Sequence, residues 1–268
     1  MEQDSRTLVS NYWRFCPANK RFYSLPLSLL PEKAGKDIKS MENKMVVKLN
    51  LGCGPRPFKG WINIDKSWNT YLYKFPLFKK LIIKLLLFLG WVTKDALENV
   101  VDYPPDLDIR RRDVTKGLPF NDMSVDYIYT SHLLEHLRKE DAIFVLKECY
   151  RVLKQGGVLR VVVPDLKIIV KEYMNKKECS DDNDIPAADK FMNGLMLQGI
   201  GDDRPLFYKC MCKRHQWMYD FESLAKRLYD CGFSKVKECK LGKGLLPDLQ
   251  YIEPQEYHSK SVYLEAIK

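Results

Sequence analysis

Nothing in this 268-residue chain is long and apolar enough to cross a bilayer. A spanning helix needs about 20 apolar residues in a row, whereas the longest uncharged stretch of the apolar region runs only from Leu85 to Thr93. Glycine and proline number 14 each and no segment repeats, which excludes collagen-like, coiled-coil and low-complexity architectures. The eight cysteines contain no C-x-x-C pair, so a paired-cysteine metal framework is missing, and reduced thiols in a cytoplasmic protein are expected. A secretory leader is not expected either, because Glu2, Asp4, Arg6 and the polar Ser10-Asn11 interrupt any apolar core near the start.

What is present fits a single α/β domain with decoration. Hydrophobic residues make up 46% and charged residues 29%, enough for a sizeable core and too apolar for global disorder. The net charge is +9, and all of the excess lies early: residues 1–116 hold 21 basic and 12 acidic side chains, and the remainder holds 23 of each. A basic half suits nucleic acid, an anionic membrane or an acidic substrate. Charge alone does not choose among them.

Residues 1–44 have no sustained period and contain Pro17, Pro26, Pro31 and Gly35; they read as an N-terminal extension. The domain proper spans 45–268. Val46–Leu51 reads as a buried strand running into Gly52-Cys53-Gly54, and Trp61–Asp65 as a second strand ending on an acid. Residues 66–107 form an insert, apolar and lysine-rich at first. Strands follow at Asp108–Asp113 and Ser124–Thr130, the latter with Val125, Tyr127 and Tyr129 expected on one side. The spacing of Ile143, Leu146, Tyr150 and Leu153 predicts a helix over Lys139–Leu153, stopped by Gly156-Gly157. Val158–Val163 reads as a fifth strand, Phe221–Cys231 as a helix, and Ser234–Glu238 and Ser261–Ile267 as strands. Strands alternating with helices point to a mostly parallel sheet covered on both faces.

A strand that ends in Gly-x-Gly lets the backbone approach a ligand closely, since neither glycine has a Cβ. In open α/β sheets that ligand sits beyond the carboxyl ends of the strands. Gly52-x-Gly54, Asp65 and Asp113 stand at three successive strand ends, in order. The chain resembles the class I S-adenosylmethionine-dependent methyltransferases, in particular the type 11 methyltransferase-domain group. The matching stretches are Leu49–Gly54, Gly60–Asp65, Leu118–Asp126, Ser131-His132-Leu133-Leu134-Glu135-His136 and Arg151–Gly157. His215-x-Trp217-Met218-Tyr219-Asp220 and Leu264-Glu265-Ala266 are similar to the tail of a subgroup often linked to surface-glycan synthesis.

That resemblance implies a Rossmann-like, seven-stranded, mostly parallel sheet with its last strand antiparallel, and S-adenosyl-L-methionine as cofactor. The Gly52–Gly54 backbone would face the methionine moiety, Asp65 the ribose, and Asp113 with Val114 the adenine; Asn50, Cys53 and Ser131 complete the cofactor-facing set. Two departures stand out. Arg56 replaces a common third glycine, and only ten residues separate Leu51 from Ile62, fewer than a crossover helix needs.

Methyl transfer to a hydroxyl needs a base. His132, just past the fourth strand, is the first candidate, His215 the second and Asp165 the third, with Trp217 and Tyr219 as candidate walls of the acceptor pocket. The expected acceptor is a small molecule or saccharide, methylated at oxygen. Three other readings compete. The chain could bind the cofactor without turnover. A nucleic-acid methyltransferase acting on amino groups would carry Asn/Asp-Pro-Pro-aromatic after the fourth strand, where this chain has Ser131-His132-Leu133-Leu134; Arg110-Arg111-Arg112 could still touch phosphate. Finally, His132-x-x-Glu135-His136 matches the inverted zinc-protease pattern, in which two histidines share one helix face. No third ligand stands at the family spacing, so no metal is expected. Cys210-x-Cys212 with His215 could begin a metal site, but its plainer reading is an ordered loop.

Five lysines and no acid lie from Lys66 to Lys84, and Phe78, Leu81, Ile82, Leu85 and Leu89 recur at helical spacing. Residues 74–92 therefore read either as a lid or as a peripheral contact with anionic membrane.

Overall fold

The computed structural model describes residues 13–16, 21–24, 46–54, 56–67, 81–82, 84–85, 88–89, 106–175, 186–195, 214–253 and 260–268. The chain divides into two units, residues 1–46 and 47–268. In the first unit, β1 (Trp13–Cys16) pairs antiparallel with β2 (Arg21–Ser24). Four-residue strands are too short for their alternation to be read from sequence, so this hairpin was not expected.

The second unit is built on a seven-stranded sheet. Its strands are β3 (Lys48–Leu51), β4 (Ile62–Asp65), β5 (Asp108–Arg111), β6 (Val125–Ser131), β7 (Leu153–Pro164), β8 (Lys235–Cys239) and β9 (Ser261–Ile267), in the order β5-β4-β3-β6-β7-β9-β8. β3 pairs parallel with β4 and β6, as do β4 with β5 and β6 with β7; β9 runs antiparallel to both neighbours. The described helices are α1 (Lys139–Val152), α2 (Leu166–Met174), α3 (Ala187–Leu195), α4 (Phe221–Asp230) and α5 (Leu249–Ile252). The fold is thus the Rossmann-like, mostly parallel sheet expected. Chain order reverses at β3, which places the ligand crevice at the carboxyl ends of β3 and its neighbours.

Packing follows from the two-residue period of the strands. One face buries Leu49, Leu51, Ile64, Ile128, Val161 and Val163 with α1 and α4 residues; the other buries Trp61, Tyr129, Val158, Val162 and Tyr263 against Leu246, Leu249 and Ile252. The expected common face of Val125, Tyr127 and Tyr129 does not form. The register shifts between Val125 and Tyr127, so Val125 joins Ile128 while both tyrosines go to the opposite cluster. β6 advances two residues where β7 advances five, so the pairing on either side of this break does not keep one continuous pleat.

α1 buries Ala142, Val145, Leu146, Cys149 and Val152, and its first turn carries Glu140 and Asp141, favourable at the positive end of the helix dipole. It ends at Val152, before the glycines, because Leu153 already pairs with Val125. Gly156 and Gly157 lie inside the long β7. The third strand likewise stops early, at Arg111, leaving Asp113 to cap the 3-10 turn Val114–Lys116.

The connection from β3 to β4 contains no helix among its described residues. Asn63, fully buried in the middle of β4, takes over the bracing. Its Oδ1 accepts from Asn50 Nδ2 (3.0 Å) and Phe58 N (2.8 Å), and its Nδ2 lies 3.0–3.2 Å from the carbonyls of Phe58, Trp61 and Asp108. A buried amide satisfied on both ends fixes the path of the loop.

On the other sheet face Arg160 is wholly buried. It makes a two-pronged bond to Glu253 (2.9 and 2.7 Å) and donates to the carbonyls of Lys243 and Lys240; its guanidinium stacks 5.2 Å from the Tyr263 ring. Glu265 accepts from Leu245 N and Leu246 N. A Cβ on Gly244 would run into the Glu265 carboxylate, so a side chain there would have to displace it from those two amides. Among the described residues no helix is long and apolar enough to cross a membrane.

Candidate functional site

At the end of β3 the chain turns sharply. Gly52 adopts φ +70°, and a Cβ there would stand 2.9 Å from Leu133 Cδ1, so glycine is required on both counts. Gly52 N and Cys53 N both donate to Ile64 O (2.8 and 3.3 Å), and Gly54 N donates to Asp65 Oδ2 (2.8 Å). Asp65 Oδ1 accepts from Ser67 N (2.6 Å). Asp65 therefore shapes the glycine loop, with each oxygen keeping a further lone pair for a ligand. Burial pushes the Cys53 thiol up, with the Asp65 charge adding to it, so it stays protonated.

A cavity of about 360 Å³ opens over this loop. Its walls include Asn50, Gly52, Cys53, Gly54, Ser131 and His132, all singled out from sequence, and also Arg56, Phe58, Tyr129 and Ile252. The last four were not anticipated. Phe58 reaches the cavity because the helix-free loop folds over Tyr129, their rings meeting edge to face at 5.6 Å. Arg56 adds a cation to the wall at the position where a glycine is more usual.

Immediately after β6, His132 adopts φ +50°, the left-handed region that non-glycine residues rarely occupy. The turn aims its ring at the 3-10 segment Leu134–His136. Nδ1 lies 3.0 Å from Glu135 Oε1, and Nε2 lies 3.4 Å from Ser261 Oγ. Glu135 has no exposed surface. A buried carboxylate on one ring nitrogen fixes the tautomer, leaving the other nitrogen to accept a proton. The helix face on which His132 and His136 would share a zinc ion does not form, because a left-handed residue and a 3-10 turn replace the helix. Glu135, which holds the His132 ring, is the partner that sequence reasoning passed over, having read it only as part of the zinc pattern. Its signal was an acid three residues from a histidine directly after a buried strand.

The remaining candidates lie elsewhere. Asp113 accepts from Thr115 N and Oγ1 and pairs with Lys66 Nζ at 3.0 Å. Partial burial opposes its charge, but the Thr115 and Lys66 contacts outweigh it and hold its carboxyl at about 2. Val114 beside it is buried. Asp165 caps α2, accepting from Lys167 N. His215 is buried, with Nδ1 3.0 Å from Leu195 O, and burial pulls its pKa down. None of these four is in the cavity wall. Trp217 is flanked by Lys139 and Arg227 at 5.0 and 5.9 Å, and Tyr219 is buried in the core; neither borders the cavity. Cys210 and Cys212 lie outside the described residues.

Residues 91–161 match a family model described as a methyltransferase domain. No curated protein matches the chain. Among solved structures, a SAM-dependent methyltransferase from Archaeoglobus fulgidus is 15% identical, with 91% of this chain and 95% of that one covered at a TM-score of 0.42. An S-adenosylmethionine-dependent methyltransferase from Mesorhizobium loti is 16% identical, with 91% and 100% covered at a TM-score of 0.40.

Proposed function

We propose that this chain, which carries a class I S-adenosylmethionine-dependent methyltransferase domain, transfers a methyl group to a hydroxyl oxygen of a small molecule or saccharide. The observation that carries the choice of oxygen is His132 at the cavity wall, paired at Nδ1 with the buried Glu135 carboxylate. The cavity suits the cofactor: a cradle of glycine backbone at the strand ends and the cation of Arg56 for a carboxylate, with the Asp65 carboxylate, bonded to Gly54 N behind that cradle, as the candidate for hydroxyls. When bound, the cofactor supplies a methyl group on a positively charged sulfur.

The protein's own work is then positioning and proton removal. Alignment of two reactants is worth roughly 7–11 kcal/mol of barrier. A base contributes about 10²–10⁴-fold where an O–H proton must leave. His132 would accept that proton at Nε2, leaving the acceptor oxygen the electron pair with which to take the methyl group that the cofactor would supply. Glu135 holds the Nδ1–H and stabilises the imidazolium. An amine acceptor does not need a base whose charge is held by a buried carboxylate, which is why oxygen is favoured over nitrogen. The glycan-linked resemblance of the tail supports a saccharide within this class. Labelled S-adenosylmethionine, incubated with hydroxylated saccharides and alcohols beside amines and RNA, tests the reading. Label on a hydroxyl is expected; label on amines or RNA alone refutes it.

A membrane contact is supported by exposed apolar residues on the insert. Leu81, Leu85, Phe88 and Leu89 are all exposed, Phe88 at 87%, in a segment helical at 81–82, 84–85 and 88. Beside five lysines, such a face fits the surface of an anionic bilayer, where each lysine adds about 1 kcal/mol. Anionic vesicles should co-sediment the protein at low salt and release it as salt rises. Replacing Lys74, Lys79, Lys80 and Lys84 by Gln should abolish that binding; equal sedimentation of both proteins would refute it.

A further inference from the structure

The transfer reaction leaves two histidines without a task, His215 buried and His136 partly buried. His136 and His215 face each other, ring centroids 4.9 Å apart, beside the side of Glu135 that does not hold His132. One nitrogen from each ring and one Glu135 oxygen lie within 4.8 Å of one another. Glu135 Oε2 and His136 Nδ1 are both buried with no hydrogen-bond partner. Orphaned polar atoms of this kind cost stability unless something satisfies them.

We propose that Glu135, His136 and His215 form a binding site for one divalent transition-metal ion, of which zinc is the best fit. Two imidazoles and a carboxylate suit zinc rather than magnesium or calcium, which take oxygens. Tetrahedral zinc holds its ligand atoms about 3.3 Å apart, a separation that small side-chain rotations supply here. The supports are those that metal-binding histidines use. His215 turns Nδ1 to the Leu195 carbonyl at 3.0 Å, which directs Nε2 into the cluster. The two segments are fastened together: Gln216 N and Trp217 N both donate to Glu135 O, and Gln216 Nε2 donates to His136 O. The ligands are thus placed before any ion arrives. Three protein ligands leave a fourth position for water or an oxygen ligand. Glu135 would join the ion through one oxygen while its other holds His132.

Because Glu135 also belongs to the proposed base, the test reads metal and not turnover. The full chain, stripped by chelator and dialysed against Zn²⁺, should retain about one zinc per molecule. His136→Ala and His215→Ala should each weaken zinc binding about 100-fold or more, beyond the 10–100-fold typical for losing a supporting contact. His132→Ala, which removes no ligand but only a contact to Glu135, should cost no more than the 10–100-fold of a lost supporting contact and less than either ligand variant. Co²⁺ in the wild-type chain should give visible d–d bands without thiolate charge transfer, a readout that does not require the variants to fold. Absence of zinc binding, equal affinity in folded His136→Ala, loss in His132→Ala as large as in the ligand variants, or a thiolate band would each overturn the assignment.

Discussion

Two buried clusters of charged side chains lie on this sheet, and they are built in opposite ways. Around Arg160 every partner is supplied from within: Glu253 grips the guanidinium with both oxygens, Lys240 and Lys243 give carbonyls, and Glu265 is held by two backbone amides. Around Glu135 the set is left incomplete, with one carboxylate oxygen and one ring nitrogen buried and unmatched. The first cluster fastens residues 240–253 to the sheet and with them Ile252 at the cavity wall. The second stores polar groups that only a proton, a ligand or an ion can satisfy. In this pair of clusters the completed one serves architecture, and the incomplete one is the candidate for chemistry.

The sharpest way to break that contrast is to remove Arg160. Arg160→Met strands two buried carboxylates, and a loss of about 3–5 kcal/mol in urea denaturation is expected. The double variant with Glu253→Leu should lose less than the two single losses added together; strict additivity would show that the pair is not coupled. In the other cluster the expected signs invert. Glu135→Gln should leave stability within about 1 kcal/mol of wild type while turnover falls about 10²-fold or more. A large stability loss with turnover preserved would place Glu135 in the architectural class. His132→Ala should lower turnover by about 10²–10⁴-fold with calorimetric cofactor affinity nearly unchanged.

Smaller effects belong to the acids that border both classes. Asp65→Ala should weaken cofactor binding by about 2–3 kcal/mol, the range for a hydrogen bond to a charged group, and unchanged affinity in a folded variant would remove Asp65 from the site. Asp113 should show the least. Its folded pKa of about 2 lies below the unfolded value near 3.9, so its stabilisation is complete above about pH 4 and fades as pH falls towards 2. Asp113→Asn should flatten that part of the stability profile and change little at neutral pH.

The seven strands of the large sheet and the helices α1 and α4 were legible because their hydrophobic periods are local. So was the floor of the cavity: Asn50, Gly52, Cys53, Gly54, Ser131 and His132 sit at strand ends, where the topology itself points them at one crevice. What could not be read depended on distance or on register. The shift between Val125 and Tyr127 leaves no mark on composition, yet it decides which face two tyrosines serve. His215 comes from far along the chain to meet His136, and no spacing rule links them. Asn63 was visible only as a polar residue inside an apolar run, and nothing local reveals that it touches residues on both sides of the loop. The His132 pattern suggested a helix, and the strained backbone that replaced it is a property of the packed site.

The bracing of the β3–β4 connection bears on how this protein tolerates change. A ligand loop backed by a helix spreads its support over many positions, each replaceable at small cost, so its shape degrades by degrees. Here the support converges on one amide whose contacts reach Asn50, Phe58, Trp61 and Asp108. Asn63 tolerates no substitute: even Asp in its place loses both N–H donors, and no neighbouring substitution can restore them. Mutational sensitivity in this connection is therefore concentrated at Gly52, whose backbone needs glycine, and at Asn63.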